Sequence, residues 1–115
     1  MNAEEFKHRT KSFAVRVVKL VAALPPTKAG DVIGKQLLRS GTSVGANYRA
    51  ACRGKSRADF IAKMAIVEEE CDECLYWMEL LVEIGLIEQA RLADLQSEAN
   101  ELLSMIVASI RTARR

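Results

Sequence analysis

The chain has 115 residues, 50% hydrophobic, 5% aromatic and 28% charged, with a net charge of +2. That length supports one domain, residues 1–115, able to bury a core without metal or disulfides. Three cysteines, Cys52, Cys71 and Cys74, are an odd number that argues against a disulfide framework; with no basic-then-apolar leader and no apolar run approaching the roughly 18–20 residues that cross a bilayer, the expectation is a cytoplasmic protein without a membrane partner.

Ala, Leu, Val, Glu, Lys and Arg dominate, and the two prolines are adjacent at Pro25-Pro26. This composition favours helix throughout. A first helix is expected from Glu4 to Ala23, with Phe6, Phe13, Val17, Leu20 and Leu24 as its apolar stripe. Pro25-Pro26 ends it, and a turn follows through Thr27-Lys28-Ala29-Gly30.

A second helix is expected from Asp31, read as its N-cap, to Gly54. At 100° per residue, Ile33, Leu37, Val44, Tyr48 and Ala51 share one side. Gly34, Gly41, Gly45 and Cys52 form a narrow strip beside them. Lys35, Arg39, Arg49, Arg53 and, if the helix persists, Arg57 gather opposite, within roughly 80° of arc. Gly41 and Gly45 each weaken a helix by up to ~1 kcal/mol, so the pattern allows a kink there. The small residues mark close helix packing, with Asn47 as a hydrogen-bonding group in need of a partner and Tyr48 as a packed aromatic.

A third helix is expected from Ser56, with Asp59 at N3 resembling a capping box, to Ile84, stopped by Gly85. Its main stripe is Phe60, Met64, Val67, Cys71, Cys74, Leu75, Met78 and Val82. A second stripe holds Ile66, Glu70, Glu73, Trp77, Leu80 and Ile84. The remaining face is acidic: Glu68, Glu69, Asp72, Glu79 and Glu83. A bundle helix needs one apolar face, so the second stripe is read as an oligomer interface. A fourth helix from Glu88 to Arg111 carries Leu92, Leu95, Ala99, Leu102, Leu103, Ile106 and Ile110. The short connections make successive helices antiparallel.

Charge is unevenly spread. Residues 1–57 hold 12 Lys/Arg and 3 Asp/Glu, net +9; residues 58–115 hold 5 Lys/Arg and 12 Asp/Glu, net −7. A polyanionic partner, electrostatic self-assembly, or mutual neutralisation inside the bundle each accounts for this pattern.

Catalytic constellations are weak. His8 is the only histidine, and the Glu-x-x-His pairs of a di-iron bundle are missing. Glu70 and Glu73 share a helix face, where a salt bridge to Arg of a neighbouring helix is the favoured reading over metal ligation. Cys71-x-x-Cys74 lies on the apolar stripe, where free cysteines behave as small hydrophobes. Gly41-Thr42-Ser43-Val44-Gly45 has three residues between its glycines where a phosphate loop has four, and no Gly-Lys-Ser/Thr follows. The reading is therefore non-enzymatic, with no cofactor and no metal. The basic stripe carries the best binding chemistry, a row of phosphate-seeking donors suited to RNA; the alternatives are a solvated face or one paired to the acidic third helix.

One stretch, Arg39-Ser40-Gly41-Thr42-Ser43-Val44-Gly45-Ala46-Asn47-Tyr48-Arg49, also resembles a known family. So do Phe13-Ala14, Leu24-Pro25, Gln36-Leu37, Ser56, Asp59-Phe60-Ile61-x-Lys63, Ile66, Glu70, Glu73, Tyr76-Trp77 and Leu80-Leu81. The family is that of the bacterial four-helix bundle proteins named for 23S rRNA intervening sequences. The resemblance implies an all-α, antiparallel up-and-down four-helix bundle assembling as a homopentameric ring. A similar bundle serves diversity-generating retroelements as their accessory variability protein, binding reverse transcriptase and nucleic acid. The reading is thus an RNA- or ribonucleoprotein-binding bundle using Lys35, Arg39, Arg49, Arg53 and Arg57. The alternative is a protein-interaction scaffold, such as a reverse-transcriptase accessory protein.

Overall fold

Each break in the chain has a local cause, and the four helices follow from those breaks. In the computed structural model, which describes residues 2–115, they are α1 (Ala3–Ala22), α2 (Lys28–Cys52), α3 (Arg57–Glu83) and α4 (Gln89–Ala113). Asn2 caps α1, its side-chain oxygen accepting from the amides of Glu4 at 2.8 Å and Glu5 at 3.2 Å. The cap of α2 is Thr27, not Asp31: its hydroxyl accepts from the Gly30 amide at 2.9 Å. The helix therefore starts three residues before the expected cap, and Asp31 falls in the first turn, where a carboxylate suits the positive end of the macrodipole.

Ser56 caps α3 through the Asp59 amide at 3.0 Å. The Asp59 carboxylate reaches back to the Lys55 amide at 3.0 Å and also binds Lys63 at 2.7 Å. The Lys63 hydrogen bond, then the Lys55 amide, hold its carboxyl below the usual range. Gly85 ends α3 with φ +80°, which glycine adopts without a Cβ penalty. The amides of Leu86 and Gly85 then return to the carbonyls of Leu81 and Val82 at 3.1 and 3.0 Å, closing a Schellman turn.

Successive helices pack side by side, most extensively α2 on α3, and α1 meets α4 least. All neighbours run antiparallel. A Cβ on Gly41 or Gly45 of α2 would meet Val17 or Thr10 of α1, in reversed order. Ser40 of α2 pairs with Cys74 of α3, and Cys71 with Ala99 of α4. The bundle measures 45 × 21 × 20 Å. No helix is long and apolar enough to cross a membrane among the described residues.

The core is close to the expected stripes. Phe6, Phe13, Val17, Leu37, Val44, Tyr48, Met64, Val67, Met78, Leu92, Leu102 and Ile106 are buried, each such side chain stabilising by about 1.5–3 kcal/mol. Leu81, outside the expected stripe, is fully buried, whereas Phe60, Leu75 and Val82 are only partly so. Tyr48 sits edge-on to Phe6, ring centroids 4.6 Å apart. Cys52, assigned to the small-residue strip, is exposed instead, because α2 ends at that residue.

Glycines let α1 and α2 pack closely. A Cβ on Gly41 would lie 2.7–3.0 Å from the Val17 side chain, and one on Gly45 3.1 Å from the Thr10 hydroxyl. Thr10 is buried, its hydroxyl satisfied by the Phe6 carbonyl at 2.9 Å. α2 runs as helix without a break through this segment, because packing on α1 offsets the weak helix propensity of glycine. Asn47 does not reach another helix: its Nδ2 donates to the Ser43 carbonyl at 2.9 Å, one turn back.

On the opposite seam, Arg9 makes ion pairs from α1 to α4. Its guanidinium forks onto Glu98 at 2.8 and 2.7 Å and reaches Glu101 at 3.3 Å. The hydrogen bond to Glu98 is the main cause of its raised pKa.

Both cysteines of the Cys71-x-x-Cys74 pair are fully buried. Cys71 donates to the Ala99 carbonyl and Cys74 to the Ser40 hydroxyl, each at 3.4 Å. Burial pushes both thiols up to about 12, which keeps them protonated and inert. Gly41→Ala forces Val17 aside and should cost about 1–3 kcal/mol in urea unfolding. Gly34→Ala, which meets only the methyl tips of Leu24 and Val21, should be near neutral. In a thiol-labelling assay at pH 8, one cysteine, Cys52, should react with the folded protein and all three only after denaturation.

Candidate nucleic-acid interface

Lys35, Arg39, Arg49, Arg53 and Arg57 are all exposed, but they do not form one stripe. α2 ends at Cys52, and Arg57 opens α3 across a short loop. Its guanidinium donates to the Arg115 carbonyl at 3.1 Å, joining the start of α3 to the end of α4. Arg57 therefore lies at the end of the bundle, not on a continuation of α2.

Arg39 is engaged elsewhere. It binds Glu70 at 3.0 Å and also pairs with Glu73, while Glu73 accepts from the Trp77 indole at 3.0 Å. The hydrogen bond to Glu73 is the first cause of its raised pKa. This is the interhelical salt bridge the spacing of Glu70 and Glu73 favours, and it takes Arg39 out of the set of unpaired phosphate donors. The 80° arc read from α2 has two edges: Arg39 leans to α3, Arg49 to α1.

Lys35 stands apart, in a shallow groove with Val21, Leu24, Gly30, Asp31, Gly34 and Leu38. Arg49 and Arg53 instead meet α1. With Glu4, Lys7, His8 and Lys11 they line an open cleft of about 440 Å³. Lys7 pairs with Glu4 at 3.2 Å; Lys11, Arg49 and Arg53 have no carboxylate partner among the described residues. Lys7/Lys11 and Arg49/Arg53 are like-charge pairs at i,i+4, an arrangement that weakens helices. Arg49, in the last turn of α2, suits the negative end of the macrodipole, but Lys11, Arg49 and Arg53 bring the fold no ion pair among the described residues.

The same end of the bundle carries Lys55, Arg57, Arg111, Arg114 and Arg115, because up-and-down topology brings the starts of α1 and α3 beside the ends of α2 and α4. Lys7, His8 and Lys11 join the site from α1, outside the stripe expected on α2. Their spacing on the outer face of α1 was legible; their position opposite Arg49 depends on helix register. Arg111, Arg114 and Arg115 complement the negative end of α4 and also add to this basic end.

The second stripe of α3 is divided. Ile66 and Ile84 are 44% and 45% exposed, Trp77 and Leu80 are half-buried, and Glu70 and Glu73 are held by Arg39 of the same chain. Tyr76, absent from the expected interface, is 56% exposed and packs edge-on against Trp77, centroids 5.0 Å apart. Among the described residues, no three His, Cys, Asp or Glu side chains gather as metal ligands.

Comparison with known proteins places this architecture. The model of the 23S rRNA-intervening sequence protein family matches residues 4–108. No curated protein matches the chain. A crystal structure from Bacteroides thetaiotaomicron VPI-5482, of a protein of unknown function from the S23 ribosomal protein family, is 37% identical. It superposes with a TM-score of 0.89 over 96% of this chain and 99% of that one. With a family match over nearly its whole length and a relative of the same four-helix form, the chain belongs to the 23S rRNA-intervening sequence protein family.

Proposed function

We propose that the chain is a non-catalytic bundle that assembles into a homopentameric ring and binds RNA through the basic end described above. One observation carries the RNA half. Arg39 is neutralised within the chain, whereas Lys11, Arg49 and Arg53 stand together without carboxylate partners. Cations grouped against their own repulsion suit a polyanion. Contacts of this kind go to phosphates and give affinity without sequence choice. Tyr48 and Trp77 are packed against the core, so they are poorly placed for stacking on single-stranded bases.

The assembly half is supported by exposed Ile66, Tyr76 and Ile84 along the outer side of α3, beside half-buried Trp77. Apolar and aromatic groups of this kind are typical of protein interfaces. The same row favours the second reading, a scaffold for a protein partner such as a reverse transcriptase, without direct RNA contact.

Light scattering on a sizing column, with and without a 23S rRNA fragment, separates these readings. The expected mass is five times the 12.7 kDa chain, with an RNA-dependent shift that fades as salt rises. Phosphate contacts by Lys11, Arg49 and Arg53 predict a log–log salt slope of roughly −2 for a single strand. A monomer would overturn the ring. A pentamer indifferent to RNA would overturn RNA binding and leave the scaffold. In the same assay, Arg49→Glu with Arg53→Glu should abolish RNA binding while leaving the helical circular dichroism intact. Arg39→Gln should keep RNA affinity within about twofold but lower the urea midpoint, since Glu70 and Glu73 lose their partner.

A further inference from the structure

We infer that the cleft between the first turns of α1 and the last turn of α2 is a phosphate seat built by Lys7, His8, Lys11, Arg49 and Arg53. The inference rests on the RNA reading for the source of the phosphate and names where on the molecule it is held. Three features of the cleft converge on this ligand.

The first is the donor set. Arg49 and Arg53 offer planar forks, which match phosphate oxygens two at a time, and Lys7 and Lys11 act as compact charges. The His8 imidazole contributes an N–H donor in either protonation state. All the lining residues are charged or polar, with Glu4 the single carboxylate. A peptide or protein partner needs apolar anchors to bind well, and this cleft has none. Its one aromatic ring is the small His8 imidazole, with no Phe, Tyr or Trp in the lining to serve as a broad base-stacking platform. The chemistry left is that of a phosphate group.

The second is spacing. Lys7 and Lys11 are one helical turn apart on α1, as are Arg49 and Arg53 on α2, and the two helices run antiparallel with Thr10 against Gly45. Two short ladders of cations thus face one space from opposite walls. The missing Cβ of Gly45 lets those walls come close.

The third is Glu4. It holds Lys7 at 3.2 Å from the mouth of the cleft, on a side chain that is itself 83% exposed. An arriving phosphate competes with this carboxylate for Lys7, so Glu4 moderates affinity. Tyr48 and Cys52 border the same region from α2. Burial is the main cause of the raised Tyr48 pKa, so that phenol stays neutral and adds no opposing charge.

His8 is the only histidine in the chain, so its ring resonances report on this cleft alone. The test follows the His8 signals of full-length protein carrying 13C-labelled histidine during titration with sodium pyrophosphate, then with a 23S rRNA fragment. Both should move the signals saturably. Lys11→Gln should weaken both about tenfold, and Glu4→Gln, which frees Lys7, should tighten both. The Glu4 variant gains affinity, an effect misfolding cannot produce. Signals unmoved by either probe, or unchanged affinity in Lys11→Gln, would overturn the inference. Retardation of RNA on a gel with His8 unmoved would keep the RNA reading on another surface and remove the cleft. Movement with pyrophosphate but not RNA would keep the cleft as a site for a small phosphorylated ligand and overturn its role in holding RNA.

Discussion

The close approach of α1 and α2 sets the geometry on which both core and surface depend. Gly41 lies against Val17 and Gly45 against Thr10, where any Cβ would crowd the facing side chain. These two contacts fix the register of one helix against the other. Sliding α2 by a turn would bring a larger side chain to the point of closest approach, so the packing has few alternatives. In this register Phe6 meets Tyr48 inside, and Lys7, His8 and Lys11 meet Arg49 and Arg53 outside. A core constraint thereby assembles a surface cluster from two distant parts of the chain.

The charges divide according to which seam they border. On the α2–α3 seam Arg39 finds Glu70 and Glu73, and Trp77 shares the second carboxylate. On the α1–α4 seam Arg9 finds Glu98 and Glu101. Both are Arg forks between helices, where bidentate geometry gives direction as well as attraction. The α1–α2 seam differs because both its helices come from the basic half of the chain. Their only carboxylate in the cleft is Glu4. Ion pairs between helices form where a basic helix borders an acidic one, and Lys11, Arg49 and Arg53 stay unpaired, among the described residues, where two basic helices meet.

The same logic separates structural polarity from binding polarity. Thr10, Ser40, Cys71 and Cys74 are buried and each has a hydrogen-bond partner. Among the described residues no buried side-chain nitrogen or oxygen lacks one. The interior is complete in itself and offers no catalytic chemistry from its thiols. Family membership adds the architecture and a relative of unknown function. Function is then a matter of sites carried on that architecture, and here the surface, through its basic end and the apolar row on α3, is where sites are found.

Much of the fold was legible in the residues. Apolar periodicity marked all four helices, Pro25-Pro26 and Gly85 marked two of their ends, and Ser56 marked the start of α3. These are local effects: a side chain capping its own turn, a glycine taking φ +80°, a proline lacking its amide. Thr27 took the capping role assigned to Asp31 because either residue can cap, and only the path of the chain after Pro26 chooses between them. The division of the basic stripe was not legible. Helical pitch places Arg39 and Arg49 within 80° on one cylinder, but says nothing about which neighbour lies beyond each edge of that arc. Helix positions and buried faces could be read from the residues because they depend on contacts a few positions apart, and the cation excess of the first half is composition alone. That Arg39 is neutralised, and that Lys7, His8 and Lys11 stand with Arg49 and Arg53, follows only from how the helices pack. Those pairings join residues tens of positions apart, through a register set where Val17 meets a glycine.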